Sequence, residues 1–261
     1  MVVNIALASD LHIELSRSRV PIPDFHPDTD IIILAGDITN SGKKTRNGFE
    51  RTFEALRERY QQPILYIPGN HEYYGSMLEH QDDIVADLGR KYDIQLLQKR
   101  YTDYQDIRFF GCTLWSHFLL NGSEELPWAI RAAERSLADY RAIQYKNGLI
   151  KARHTKELFE EHFAWLSDAV RQCPSNIKKV ICTHFAPHPV CTAPEYQGDE
   201  LSPYFINNLD DFIAETKPSA WLFGHTHYNI DTNVHESRLV SNQLGYLRET
   251  THFEPQKLIT L

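Results

Sequence analysis

The chain has 261 residues, a formal net charge of −8 and 42% hydrophobic residues, which suits one large α/β domain or two small ones. The acidic excess disfavours an extended nucleic-acid-binding face, because such a face needs a broad basic surface. No apolar run approaches the roughly 18 residues that a membrane span requires, so no membrane partner is expected.

The N-terminal run and the cysteines predict a cytoplasmic location. Residues 2–8 are mostly apolar, have no basic residue before them and are followed closely by Asp10, which favours a buried strand over a signal peptide. The cysteines form no C-x-x-C pair, and a reduced chain is the simplest interpretation. They are Cys112, Cys173, Cys182 and Cys191.

Short apolar runs alternate with longer amphipathic stretches along the chain. The apolar runs predict strands at 2–8, 31–35, 64–67, 94–97, 107–115, 179–182 and 220–223, with a hairpin of 231–234 and 238–240 in the tail. Apolar spacing of three to four predicts helices at 47–60, 76–91, 124–143, 154–172 and 209–215, and Asn147-Gly148 breaks the pattern between two of them. This alternation indicates an α/β fold with much parallel pairing.

The domain organisation is predicted to be a single domain over residues 1–261. No low-complexity linker and no internal repeat divides the chain. Residues 115–165 interrupt the alternation with helical patterns alone, and we expect them to form a cap insertion over the site. The proline-rich stretch 185–203 directly follows His184 and predicts a long loop at the sheet edge where we expect the functional site.

Five short polar motifs each follow an apolar run. Taken singly, each motif is explained equally well by a turn or a helix cap. Together they stand at strand ends, and the carboxyl ends of parallel strands are where ligands bind in α/β sheets. The motifs are Asp10-x-His12, Gly36-Asp37, Gly69-Asn70-His71-Glu72, Thr183-His184 and Gly224-His225-Thr226-His227.

The residues that would converge there are typical metal ligands. Two aspartates, an asparagine and four histidines offer oxygen and imidazole nitrogen, which suits Mn, Fe or Zn better than Ca or a cysteine-type zinc site. Seven ligands are too many for one tetrahedral ion and suit two ions about 3.5–4 Å apart that share a carboxylate. We also expect the preceding glycines, Gly36, Gly69 and Gly224, to let the backbone turn sharply beside the ions.

In this order the five motifs resemble those of the calcineurin-like metallophosphoesterase superfamily, over about residues 8–245. The resemblance implies a four-layer αββα sandwich with two facing mixed sheets. The stretches GCTLW (111–115), DYR (139–141) and SNQLGY (241–246) are similar to those of small bacterial metallophosphoesterases.

The resemblance also implies roles for individual residues. Asp10, His12 and His227 would hold one divalent ion, and Asn70, His184 and His225 the other, with Asp37 bridging; Mn²⁺ is the expected metal, with Fe and Zn also compatible. A metal-bound hydroxide would attack phosphorus without a covalent enzyme intermediate. His71 would stabilise charge and protonate the leaving oxygen, so His71 and Asp37 are the predicted catalytic residues.

The sequence departs from the phosphoprotein-phosphatase pattern at positions that bear on the substrate. Those enzymes read G-D-x-x-D-R-G and R-G-N-H-E, whereas here Asn40, Ser41 and Pro68 replace the aspartate and both arginines. The carboxylate that would orient the catalytic histidine is thus replaced by an amide, and the two arginines that would bind a phosphate dianion through paired hydrogen bonds are missing. The departures favour a phosphodiester or a nucleotide-type phosphate.

Substrate contacts are predicted for Asn40, Arg141 and His117. Arg141 or the cluster of Lys43, Lys44 and Arg46 would supply positive charge for the phosphate. A solvated loop is the better explanation of the cluster, and a surface position is the better explanation of His117.

The predicted partner is a small phosphorylated substrate, either a nucleotide or a phosphodiester. The alternatives are a phosphomonoesterase acting on proteins or small molecules, and a non-catalytic scaffold with the same fold. A full ligand set argues against the scaffold. Nuclease activity would need a DNA-binding face that this acidic chain does not indicate.

Overall fold

The structure, a computed structural model, describes residues 2–16, 20–40 and 48–261, so the cluster of Lys43, Lys44 and Arg46 lies outside the described residues. The strands are β1 (Asn4–Ala8), β2 (Ile31–Ala35), β3 (Ile64–Ile67), β4 (Ile94–Leu96), β5 (Arg100–Tyr104), β6 (Ile107–Cys112), β7 (Gln144–Tyr145), β8 (Gly148–Leu149), β9 (Lys178–Thr183), β10 (Ala220–Phe223), β11 (Asp231–Val234), β12 (Ser237–Ser241) and β13 (Leu258–Thr260). The α-helices are α1 (Gly48–Arg59), α2 (Leu78–Lys91), α3 (Leu126–Ser136), α4 (Asp139–Ala142), α5 (Ala152–Arg171), α6 (Ser202–Phe205) and α7 (Asp210–Thr216).

Two mixed sheets form the centre of the fold. In the first, β1, β2, β3 and β4 are parallel neighbours, and β13 pairs antiparallel with β1. In the second, β12, β10, β9 and β6 are parallel neighbours, and β11 and β5 add antiparallel edges. Parallel neighbours need crossover connections. Helices supply those between β2 and β3, β3 and β4, β6 and β9, and β9 and β10, whereas the described residues between β1 and β2 contain a 3₁₀ turn but no α-helix, and β10 connects to β12 through β11.

The sheets face each other across an apolar layer, and helices cover their outer faces. Ile33 of β2 and Leu222 of β10 belong to the layer between the sheets. Phe53 of α1 packs on the outer face of the first sheet, and Trp221 of β10 packs outward beneath α5 and α7. The four-layer αββα sandwich with two facing mixed sheets is therefore confirmed. Because both faces of the central strands are buried, these strands read as continuous apolar runs.

The predicted elements agree with the structure in their order, with differences at the sheet edges and in a few element bounds; the helix predicted over 124–143, for example, is divided into α3 and α4. β5 and β13 were not predicted, because an edge strand is short or half exposed and lacks a continuous apolar run. Asn147-Gly148, predicted as a break between helices, lies in the β7–β8 hairpin. The strand predicted over 107–115 ends at Cys112, and Leu114 and Trp115 take left-handed backbone conformations.

The segment 115–165, predicted to form a cap, contains α3, α4, β7, β8 and the first two-thirds of α5. Residues 136–139, at the junction of α3 and α4, line the large cavity described below. The α5 helix instead packs on β6, as part of the outer layer. Among the described residues, no helix is both long and apolar enough to cross a membrane.

Candidate functional site

The seven predicted ligands meet at the carboxyl edge of both sheets. Backbone hydrogen bonds tie the strand ends together there: the amide of Asp10 donates to the carbonyl of Gly36 at 2.9 Å, and the amide of Gly224 donates to the carbonyl of His184 at 3.0 Å. The structure thereby brings together side chains that are spread over more than two hundred positions of the sequence. They are Asp10, His12, Asp37, Asn70, His184, His225 and His227.

Five of these seven residues have left-handed backbone conformations. Their φ angles are 53° for Asp10, 44° for His12, 53° for Asp37, 74° for His225 and 50° for His227. Such angles are uncommon outside glycine and cluster at functional sites, because only a well-packed surrounding maintains them. Reversing the chain after each strand directs consecutive polar side chains into one shared space.

Gly36, Gly69 and Gly224 each precede a candidate ligand, and the space that their missing Cβ leaves explains them better than backbone conformation does. Gly36 does have a left-handed φ of 88°, and a Cβ there would collide with the ring of His184. Gly69 and Gly224 have no such φ, but a Cβ at Gly224 would lie 2.7 Å from Oδ2 of Asp10, and one at Gly69 would meet Asp37. The expectation of three sharp turns is thus corrected: two of these glycines leave room for the ligand side chains of neighbouring strands.

The first ligand group consists of Asp10, His12 and His227. Nε2 of His227 lies 3.2 Å from Nε2 of His12 and 3.3 Å from a carboxylate oxygen of Asp10. The other nitrogen of His227 lies 2.6 Å from Glu249, and that of His12 lies 3.3 Å from Glu14. Burial opposes the charged form of His227, but Asp10 and Glu249 raise its pKa to about 10. Each Nδ1 is thus paired with a carboxylate, and both Nε2 atoms are directed at the same place.

The second ligand group consists of Asp37, His184 and His225, with Asn70 beside them. His184 is fully buried, and its Nδ1 lies 2.9 Å from the carbonyl of Ala35, which can only accept. Its Nε2 lies 3.1 Å from Oδ1 of Asn70 and 3.3 Å from Oδ1 of Asp37. Burial works against protonation, but the carboxylate of Asp37 raises the pKa of His184 to about 9.

Both groups fit divalent cations. Two imidazole nitrogens and a carboxylate oxygen converge in the first group, and a nitrogen faces two oxygens in the second, so each arrangement needs a positive charge between its atoms. In addition, Nε2 of His225 is buried without a hydrogen-bond partner, and burial holds the pKa of this ring well below its usual value. The ring is therefore neutral, which is the form that binds metals.

The carboxylate of Glu72 fixes the loops after β2 and β3 to each other. It is fully buried and accepts hydrogen bonds from the backbone amides of Asp37 (2.9 Å) and Gly69 (2.7 Å) and from the hydroxyl of Tyr66 (2.6 Å). This is the supporting hydrogen-bond network typical of metal-ligand clusters.

His71 lies beside the ligands and faces the cavity. Its Nδ1 is 3.0 Å from Oε1 of Glu14, its Nε2 is 3.3 Å from the hydroxyl of Tyr246, and its ring stacks on Tyr74. Burial opposes its charged form, but the carboxylates of Asp37 and Glu14 raise the pKa of His71 to about 9. The ring is therefore held in one orientation with Nε2 toward the cavity.

Asp139, from the DYR stretch, orients the amide of Asn70. Its Oδ1 accepts from Nδ2 of Asn70 at 3.0 Å, and its two oxygens also accept from the hydroxyls of Tyr74 and Tyr204. Because the amide nitrogen is bound to Asp139, the amide oxygen of Asn70 points to His184.

We expect Asp139→Asn to weaken binding at the second ligand group. The new amide no longer accepts on both oxygens, so Asn70 loses its fixed orientation, and such supporting partners typically change metal affinity by about 10–100-fold. The measurement is Mn²⁺ affinity by calorimetry. The matched control is Asp210→Asn, whose carboxylate also pairs with histidines (His188 and His235) but lies on the surface. Equal affinity in both variants would contradict this role of Asp139.

A cavity of about 950 Å³ opens over the ligand groups. Its walls come from the α3–α4 junction, the loop after β9, the segment after β10 and the tail after β12. Its carboxylates include Glu195, Asp199 and Glu249, and no lysine or arginine lines it within the described ranges. The cationic side chains of this lining are the histidines His71 and His227. The long loop predicted over 185–203 supplies residues 191–196 of the cavity lining.

The three predicted substrate contacts are placed differently. Arg141 donates to the carbonyls of Arg135 and Ser136 at the end of α3 and is absent from the cavity lining. His117 is buried, both its ring nitrogens meet backbone amides, and burial lowers its pKa to about 4, so the surface position considered from the sequence is corrected. Asn40 is half-buried just beyond the Asp37 loop, and its contact with substrate stays a prediction.

Glu72 was expected from the sequence to support the ligands by hydrogen bonds, whereas three other supporting carboxylates were not predicted: Glu14, Asp139 and Glu249. Glu14 continues the alternation Asp10-x-His12-x-Glu14, which is a usable signal once the motif is found. Asp139 begins a short helix, and Glu249 lies in an irregular tail, where no local pattern marks them. They become functional candidates only because the fold places them against ligand side chains.

Known proteins resemble this chain over nearly its whole length. An uncharacterized protein of Acanthamoeba polyphaga mimivirus is 29% identical over 282 residues, covering 97% of this chain and 95% of the viral protein. Among solved structures, phosphopantetheinyl hydrolase from Mycobacterium tuberculosis aligns with a TM-score of 0.74 and 16% identity, over 94% of this chain and 90% of that one. A dimetal phosphatase from Danio rerio aligns with a TM-score of 0.54 and 13% identity, over 99% and 91%.

The family model described as calcineurin-like phosphoesterase matches residues 3–229, which contain all five motifs. The two structural relatives share the fold at low identity, and the residues described above form candidate ligand groups for divalent ions. The chain belongs to the calcineurin-like phosphoesterase family and is a metal-dependent phosphoric ester hydrolase.

Proposed function

We propose that the protein hydrolyses a phosphodiester or a nucleotide-type phosphate. The observation that carries this proposal is the acidic cavity, whose lining contains carboxylates and no lysine or arginine within the described residues. A monoester dianion is normally bound by bidentate arginines, and the carboxylates of Glu195, Asp199 and Glu249 would repel it. A diester carries a single negative charge and therefore meets less repulsion.

The cavity also has room for the second ester arm. Its wall includes apolar and aromatic side chains, among them Leu137, Tyr196, Leu201 and Phe205. Such a wall removes an organic substituent from water, while the polar ligand edge receives the phosphate. A free phosphate monoester of a small alcohol would leave most of this wall uncovered.

The proposed ligand assignment follows the two groups. Asp10, His12 and His227 would hold one ion, Asn70, His184 and His225 the other, and Asp37 would be shared; Mn²⁺ is the proposed metal. When bound, the two ions would neutralise phosphate charge and lower the pKa of water to near 7. Glu72 and Asp139 hold the ligand loops and amide in place, and His71 presents Nε2 to the leaving oxygen.

The test is a comparison of bis-p-nitrophenyl phosphate with p-nitrophenyl phosphate, using Mn²⁺-loaded protein. We expect a higher kcat/KM for the diester, followed by turnover of cyclic nucleotides, dinucleotides or a phosphopantetheinyl ester in a wider panel. A preference for the monoester would support a phosphomonoesterase, and no turnover of either would support a scaffold. If Lys43, Lys44 and Arg46 contribute to monoester binding, replacing all three with alanine should raise the KM for the monoester.

A further inference from the structure

We infer that Glu14 is a positioning residue for His71, in the role that the resemblance assigns to a carboxylate at position 40. Position 40 is an asparagine in this chain. The structure instead places Oε1 of Glu14 3.0 Å from Nδ1 of His71, on the side of the ring opposite to the cavity. This inference rests on the proposed role of His71 as the acid that protonates the leaving group.

The local backbone explains how Glu14 reaches this position. His12 has a left-handed φ of 44°, and a single turn of 3₁₀ helix, Ile13–Leu15, follows it directly. The amide of Ile13 donates to the carbonyl of Ile38 at 2.9 Å, which anchors the turn to the segment after β2. The side chain of Glu14 is therefore turned back beneath the rings of His12 and His71, and only 5% of it is exposed.

The hydrogen-bond pattern indicates a functional carboxylate. Oε1 lies between two imidazole nitrogens, 3.3 Å from Nδ1 of His12 and 3.0 Å from Nδ1 of His71, whereas Oε2 is buried without a hydrogen-bond partner among the described residues. An unpartnered buried oxygen lowers stability, and an apolar side chain would fill the same space without that cost. A negative charge there is useful only if a positive charge develops on a neighbouring ring.

The chemistry that follows is proton donation from Nε2 of His71. As the bond between phosphorus and the leaving oxygen breaks, its electron pair takes the Nε2 proton, and the ring changes from imidazolium to neutral imidazole. The Nδ1 proton stays on the hydrogen bond to Glu14 throughout. Glu14 thus holds the ring in the orientation and protonation state that donation requires, and it touches no reacting atom.

The test compares leaving groups in Glu14→Gln. p-Nitrophenolate departs without protonation, so turnover of bis-p-nitrophenyl phosphate per bound metal should stay within about threefold, whereas that of diphenyl phosphate should fall about 10–100-fold. Glu249→Gln is the matched control, because Glu249 pairs 2.6 Å from Nδ1 of the ligand His227. It should lower metal content and affect both substrates equally.

A double-mutant cycle separates His71 from His12, since Glu14 contacts both. In a His71→Ala background, Glu14→Gln should change diphenyl phosphate turnover by less than about twofold, because the interaction is already lost. If the fold-losses of the two substitutions multiply in the double variant, the inference is overturned, and Glu14 supports His12 alone. If His71→Ala leaves the turnover of diphenyl phosphate unchanged, the proposed acid role of His71 fails. If only Glu14→Gln leaves it unchanged, the inference about Glu14 fails and the acid role stands.

Two readouts do not depend on turnover. Bound metal per chain should fall less in Glu14→Gln than in Glu249→Gln, because Glu14 lies 3.3 Å from Nδ1 of His12 whereas Glu249 lies 2.6 Å from Nδ1 of His227, and an equal fall would contradict the inference. In the Zn²⁺-loaded protein, a downfield Nδ1–H proton resonance that His71→Ala removes should move upfield in Glu14→Gln, because its charged acceptor is lost. Should Glu14→Gln not fold, Glu14→Asp keeps the charge, shortens the reach and should show the same selectivity for leaving groups.

Discussion

The variant Asp37→Asn should lose about 10³-fold or more in turnover, since several kcal/mol of transition-state stabilisation depend on the ions that this carboxylate is proposed to share. Asp37 lies 3.3 Å from Nε2 of His184, and its Oδ1 also accepts from the amide of His71 at 2.9 Å. An amide at this position removes the charge needed between the two ligand groups. The measurement is kcat on bis-p-nitrophenyl phosphate with Mn²⁺, together with bound metal per chain by mass spectrometry.

The control for this variant is Asp231→Asn. Asp231 lies in β11, and its carboxylate pairs at 2.7 Å with Arg238, which belongs to neither ligand group. It should retain full turnover and metal content. Unchanged turnover in Asp37→Asn would remove Asp37 from the proposed mechanism, and unchanged metal content would remove it from the ligand set.

The second large effect is expected for His71→Ala, which should reduce turnover of diesters with poor leaving groups by about 10²–10⁴-fold. The loss follows because His71 offers a proton at Nε2 to the cavity. Its ring belongs to neither of the two proposed ligand groups and lies instead in a third cluster, with His12 and Glu14. Metal content should therefore stay near that of the parent protein. The measurement pairs kcat on diphenyl phosphate with metal analysis of the same sample.

His235→Ala is the matched control, because His235 also pairs with a carboxylate, that of Asp210 at 2.8 Å, but on the surface. It should behave like the parent protein. Equal rates in His71→Ala and His235→Ala would assign His71 a purely structural role in the turn after β3.

Much of the site was predictable because its motifs are local. Asp10, Asp37, Asn70, His184 and His225 each follow a continuous apolar run, and a strand buried on both faces is the simplest explanation of such a run. Once those runs are parallel strands, their carboxyl ends meet at one edge. The chemistry of the site was therefore predictable from residue type and order along the chain.

The supporting residues were not predictable in the same way. Glu249 is 22 positions from His227, and Asp139 is 69 positions from Asn70, so no sequence spacing relates them. Arg141 shows the converse, since a cation next to a motif is used to bind the carbonyls at the end of α3.

The sequence by itself determined the layered α/β class, the strand ends and the set of candidate metal-ligating side chains, because apolar periodicity and residue chemistry are properties of short segments. Only the tertiary structure decided that Glu14 contacts His71, that Asp139 directs the oxygen of Asn70, and that the cavity lining of the described residues is acidic. These features depend on how separate segments pack, and an orienting hydrogen bond is set by distances that no single segment contains.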